Sequence, residues 1–161
     1  MTSGPVLILG ASSGFGAAAA RAFAEDGRDI VGVHLDRRGT MDRVESLRRE
    51  IERTGSELHL FNANAADDQR RSEMIGQIRE ILGERTFSVV LHSLAFGTLR
   101  PFVPRETRER GVSRRQLEMT LDVMAHSLVY WVQDLVREEL LSAGGRVYAM
   151  PSMGSHQAWS S

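Results

Sequence analysis

The chain has 161 residues, 42% of them hydrophobic, with a formal net charge of −1 and a sequence pI near 6.5. That is enough apolar material for one domain with a real core, and too little positive charge for a dedicated nucleic-acid binder. There is no cysteine, so disulfides and thiolate metal sites are excluded, and all 20 basic residues are arginine.

The apolar run Val6-Leu7-Ile8-Leu9 meets Gly10-Ala11-Ser12-Ser13-Gly14-Phe15-Gly16 and then four alanines, Ala17 to Ala20. This order reads as strand, tight loop and helix. A helix beginning near Phe15 leaves unpaired amides and the positive end of its dipole at the loop, which suits a pyrophosphate. Gly10 is expected to permit the sharp turn, Gly14 to let the backbone approach phosphates, and Gly16 to allow close helix-to-sheet packing. The Ser12 and Ser13 hydroxyls add hydrogen bonds for phosphate or ribose oxygens.

The helix is expected to end near Gly27, and Ile30-Val31-Gly32-Val33 reads as a second buried strand running into the polar turn His34 to Gly39. Val44, Leu47 and Ile51 keep helical spacing between Met41 and Thr54, with Gly55 as the stop. Leu58, Leu60 and Phe61 mark a third strand. A helix from about Asp67 to Leu82 carries Met74, Ile75, Ile78 and Leu82 on one face, and Phe87 to Leu91 forms a fourth strand. Residues 93–112, with Pro101 and Pro104, read as a long loop on the functional edge. Ser113 and Gln116 form a capping box opening a helix to about Leu141. Gly144 and Gly145 end it, and Arg146 to Met150 is the fifth strand. The alternation predicts an α/β fold of one domain, residues 1–161: a doubly wound, Rossmann-like parallel sheet with right-handed crossovers.

Ligands of such sheets lie outside the carboxyl ends of the strands, where strand order reverses. After the second strand, a carboxylate would hold the ribose hydroxyls of NAD and an arginine the 2′-phosphate of NADP. The chain supplies Asp36 beside Arg37 and Arg38. The reading leans to NADP(H), with NAD(H) as the alternative.

The Gly-x-x-x-Gly-x-Gly spacing of Gly10, Gly14 and Gly16 resembles the signature of the short-chain dehydrogenase/reductase family. Counted from Gly10, that family's acidic position falls near His34. Asn64-Ala65 stands where members carry Asp-Val near the adenine, and Asn can still hydrogen-bond the adenine amino group. After the fourth strand the usual Asn-Asn-Ala-Gly is replaced by His92-Ser93-Leu94-Ala95-Phe96. That segment is similar to the His-Ser-Ile-Ala-Phe of the enoyl-acyl-carrier-protein reductase branch, and Leu121 to Leu128 is similar to the same branch's Asp-Ile-Ser-Ala-Tyr-Ser. The resemblance implies coenzyme contacts from Gly10 through Gly16, from His34, Asp36, Arg37, Asn64 and Ala65, and from His92, Ser93, Leu94, Ala95 and Met150. It places Ser152 where the family's catalytic serine binds the substrate carbonyl oxygen.

The family's Tyr and Lys are not in place: the sequence has no lysine, and Tyr130 and Tyr148 fall elsewhere. Met124 stands where the proton relay's Asn would sit, and a thioether cannot do that job. The resemblance implies an NAD(P)H-dependent enoyl-thioester reductase of fatty-acid synthesis, acting on an acyl thioester such as one on acyl carrier protein. A carbonyl-reducing short-chain dehydrogenase and a non-catalytic nucleotide-sensing module are the alternatives. The C-terminal part of the fold is expected to lie past Ser161, leaving the chain alone inactive and its fifth strand an open edge that aggregates or binds a partner. A cytoplasmic homo-oligomer, tetramer or dimer, is expected, without nucleic acid or membrane, since the front of the chain shows neither a leader nor a span of about 18 apolar residues.

Overall fold

Residues 4–105 and 110–151 are described by the computed structural model. Its strands are β1 (Val6–Leu9), β2 (Ile30–His34), β3 (Leu58–Asn62), β4 (Phe87–His92) and β5 (Leu141–Ala149). They form one parallel sheet in the order β3-β2-β1-β4-β5, with Val6 opposite both Ile30 and Val89. The helices are α1 (Gly14–Glu25), α2 (Met41–Glu52), α3 (Asp68–Leu82), α4 (Arg114–Leu121) and α5 (Ser127–Arg137). A π-helical turn, Asp122–His126, joins α4 to α5.

Every residue of β1 is buried, as expected of a parallel strand covered on both faces. Its side chains alternate between two cores. Leu7 and Leu9 pack with Met74 and Ile78 of α3 and Trp131 and Leu135 of α5. Val6 and Ile8 pack with Ala17, Ala20 and Ala24 of α1 and Leu47 and Ile51 of α2. Alanines on α1 let that helix lie close to the sheet. Arg71 of α3 fastens α5: it is 8% exposed, bonds Asp134 Oδ2 at 2.7 Å and Asp68 Oδ1 at 2.8 Å, and lies 5.3 Å over the Tyr130 ring.

The capping box forms as expected, Ser113 and Gln116 bonding reciprocally at the start of α4. The helix that follows differs from the expectation twice. It is broken by the π turn, and it ends at Arg137 rather than near Leu141. Glu139 takes the left-handed conformation at φ 53, and Leu140, 1% exposed, is drawn into the core while Phe87 N donates to its carbonyl at 2.8 Å. Strand pairing therefore captures Leu141 onward. Gly144 and Gly145 lie inside β5, within an irregularity where pairing passes from Phe87–Leu141 to Val89–Arg146, and are not the helix stop.

Candidate functional site

A cleft of about 560 Å³ opens at the carboxyl ends of the strands, at the point in the order where β1 stands between β2 and β4. The loop between β1 and α1 forms its floor, and Gly10, Ser12, Ser13, Gly14 and Phe15 line it. Gly10 adopts φ +92, and a Cβ there would lie 2.4 Å from Ser93 O. A Cβ on Gly16 would lie 1.9 Å from Gly10 O. The first turn of α1 thus packs on the loop's own carbonyl, a tighter constraint than the helix-to-sheet contact the sequence suggests, and Gly16 and Ala11 sit behind the lining. Around Gly14, at φ +54, a Cβ would meet nothing within 4 Å, which leaves backbone open to a ligand. Ser13 caps α1 without a side-chain bond, and no acidic residue occupies the first turn. The amides and dipole there are available to an anion.

His34 and Arg37 contribute to the next wall, together with Val33 and Leu35. Asp36 turns away from it. Its Oδ2 lies 3.0 Å from His34 Nδ1, and its backbone N–H and C=O pair with Asn62 Oδ1 (3.1 Å) and Nδ2 (3.0 Å). Burial alone would raise this carboxyl, but hydrogen bonds from Ser12, Thr40 and His34 outweigh it and hold the group at about 2. An ionised carboxylate only accepts, so His34 Nδ1 carries the proton. Asp36 thereby ties the glycine-rich loop, through Ser12, to the end of β2. With the folded carboxyl at about 2 and the unfolded one near 3.9, its contribution is complete above about pH 4 and disappears as pH falls through about 2. Asp36→Asn is expected to cost about 2 kcal/mol at neutral pH, the two urea-denaturation stabilities converging towards pH 2. Parallel curves would remove Asp36 from the acid limb.

Ala63, Asn64 and Ala65 line the side under β3. Asn64 Oδ1 accepts from Ala66 N at 3.0 Å, and Ala65 O accepts from the buried Trp131 Nε1 at 2.9 Å, which pins this corner to α5. Beyond β4, Ser93, Leu94, Ala95 and Phe96 line the cleft, faced by Met119 and Val123. His92 lies behind this wall, 3% exposed, its Nε2 3.0 Å from Ser127 Oγ. Met150 stands beside it, donating from its backbone to His92 O at 3.0 Å, its own side chain partly in solvent. Ser152 lies outside the described residues. Tyr130 and Tyr148 are 41% and 48% exposed, and neither lines the cleft.

Sequence reasoning did not reach Val33, Leu35, Ala63, Phe96, Met119 or Val123 as cleft residues. Val33 and Leu35 flank His34, and their place at the end of β2 was a usable signal. Met119 and Val123 carry only a four-residue spacing, which core helices share. No group of three or more His, Cys, Asp or Glu among the described residues is arranged to hold a metal, and no helix there is long and apolar enough to cross a membrane.

Residues 10–161 match the family model described as Enoyl-(Acyl carrier protein) reductase. A trans-2-enoyl-CoA reductase (NADH) of Clostridium perfringens (strain SM101 / Type A) is 32% identical over 99 residues, 56% of this chain and 25% of that protein. The short-chain dehydrogenase/reductase from Serratia marcescens BCRC 10948 superposes with a TM-score of 0.79 at 20% identity, over 96% of this chain and 58% of that one. A short-chain dehydrogenase from Burkholderia cenocepacia J2315 in complex with NADP gives 0.74 at 21% identity, over 90% and 54%. The chain spans a quarter of the curated relative and rather more than half of these solved ones. Fold and family match agree: the chain belongs to the short-chain dehydrogenase/reductase family, in the group whose model is described as enoyl-(acyl carrier protein) reductase.

Proposed function

We propose that this chain forms the coenzyme-binding part of an NAD(P)H-dependent enoyl-thioester reductase, with NADP(H) as the coenzyme and an acyl thioester, such as one on acyl carrier protein, as the substrate. The observation that carries the reading is the cradle of Gly10, Gly14 and Gly16 at the amino end of α1, open on its ligand side and set where strand order reverses. The Ser13 hydroxyl, the Ser12 backbone amide and the first-turn amides hold the diphosphate, while the Ser12 hydroxyl stays with Asp36. Asn64 and Ala65 bound the adenine side, and Ser93, Leu94 and Ala95 the other half. When bound, the coenzyme supplies hydride; the apolar wall of Leu94, Phe96, Met119 and Val123 excludes water from that end.

The end of β2 supports the choice of NADP(H). Arg37 borders the cleft while the Asp36 carboxylate is committed to Ser12, Thr40 and His34, so the residue offered to a ribose is a cation. Ser152 is proposed to touch the substrate oxygen. With no lysine in the sequence and neither tyrosine in the cleft, these residues do not form the family's proton-donating pair, and the chain on its own is proposed to bind coenzyme without turnover.

Titration calorimetry of the 161-residue chain tests this: heat with NADPH supports it, and no heat with either NADPH or NADH overturns it. Arg37→Ala is expected to weaken NADPH about tenfold and NADH hardly at all; equal losses would remove the NADP preference. In a protein carrying this chain with a complete family fold, NADPH oxidation by a crotonyl thioester is expected, whereas oxidation by an acetoacetyl thioester alone would move the reading to carbonyl reduction.

A further inference from the structure

One buried polar pair is unused by the coenzyme contacts above. His92, at the end of β4, is 3% exposed, and Ser127, at the start of α5, is fully buried. Ser127 Oγ donates to Val123 O at 2.8 Å and lies 3.0 Å from His92 Nε2. A hydroxyl has one hydrogen. With that hydrogen committed to Val123, the oxygen accepts from the ring, so His92 Nε2 carries a proton and the relay runs from His92 to Ser127 to Val123. Burial pushes the His92 imidazole below its usual range, which keeps it neutral.

Val123 belongs to the π turn. Such a turn pairs each carbonyl with the amide five residues on, so the ordinary helical partner is displaced, and isolated π turns concentrate at functional sites. Here the Ser127 hydroxyl supplies Val123 O with a partner from the four-residue position, and His92 braces that hydroxyl from the sheet. Val123 and Met119, one turn earlier, form the cleft wall facing Ser93 and Leu94. A dinucleotide straddling β1 lays its adenine half over β2 and β3, beside Arg37 and Asn64, and its other half towards β4, against this wall.

We infer that His92 and Ser127 are positioning residues: their relay locks the π turn onto β4 and so fixes the wall that receives the nicotinamide half of the coenzyme. The inference rests on the coenzyme reading above, and the test separates the two by probing each half of the ligand. Calorimetry compares NADPH with adenosine 2′,5′-bisphosphate on the 161-residue chain. Ser127→Ala is expected to weaken NADPH by about fivefold to tenfold and to leave the bisphosphate within about twofold. His92→Gln, whose amide nitrogen can replace the Nε2 donor, is expected to keep NADPH affinity, and His92→Leu to lose it as Ser127→Ala does. Equal weakening of both probes, or no weakening of either, overturns the positioning role while leaving the coenzyme reading intact. Binding of neither probe by the unaltered chain overturns both. On the unaltered chain, nitrogen-15 spectra of the histidine rings at neutral pH are expected to place the His92 proton on Nε2, and a proton on Nδ1 would overturn the relay.

Discussion

Gly16→Ala is expected to destabilise the chain by about 3 kcal/mol and to reduce coenzyme affinity at least about a hundredfold. The added Cβ would stand 1.9 Å from Gly10 O, and both sides of that clash are backbone, so no rotamer change relieves it. Gly10 cannot yield easily either, because its own Cβ position is only 2.4 Å from Ser93 O. The loop must move away from the first turn of α1, and the amides offered to the diphosphate move with it. Gly76→Ala, in the interior of α3 with nothing within 4 Å of the new Cβ, is the control and is expected to be neutral or stabilising by up to about 1 kcal/mol. Urea denaturation and calorimetry read both effects. A Gly16→Ala chain that binds NADPH normally would show that the close approach is not what shapes the loop.

The second large effect is expected at Trp131. It is fully buried, packs α5 against the sheet, and donates Nε1 to Ala65 O at 2.9 Å. Trp131→Ala is expected to cost about 4 kcal/mol, a large part of the total stability of a domain this size. Trp131→Phe keeps most of the apolar volume and removes the donor, leaving Ala65 O without its partner, at an expected cost of about 1–2 kcal/mol. Since Ala65 and Asn64 border the cleft, the Phe variant is also expected to weaken adenosine 2′,5′-bisphosphate measurably. Unchanged binding with lowered stability would confine Trp131 to the core.

The fold was largely readable because parallel strands covered on both faces are continuous apolar runs, and the glycines between strand and helix have few other uses. Val6 to Leu9, Ile30 to Val33 and Phe87 to Leu91 all fall in strands as expected. Residues 138–145 were not readable, since Leu140 and Leu141 continue a helical apolar pattern while pairing with β4 makes the latter a strand residue, whereas Arg146 to Ala149 fall in the fifth strand as expected. The π turn left no mark in composition or spacing; it lies between α4 and α5, just before Ser127 meets His92 of β4. At the site, the glycine loop, Arg37, Asn64 and the segment after β4 come together as expected. Asp36 was legible as a charge but not in its direction, because its partners Ser12 and Thr40 approach it only in the folded chain.

Met119, Val123, Ser127, Trp131 and Leu135 follow one another at four-residue steps. In a regular helix each step advances by about 40°, so the series would swing through about 160° and could not present Met119 to the cleft and Leu135 to the core together. The wider π turn takes back part of that rotation. One added or lost residue between Met119 and Trp131 would turn the two ends by about 100° relative to each other, sparing either the wall or the tryptophan anchor but not both. A change in the number of residues here would therefore displace the wall or the tryptophan anchor even with every side chain of the series kept.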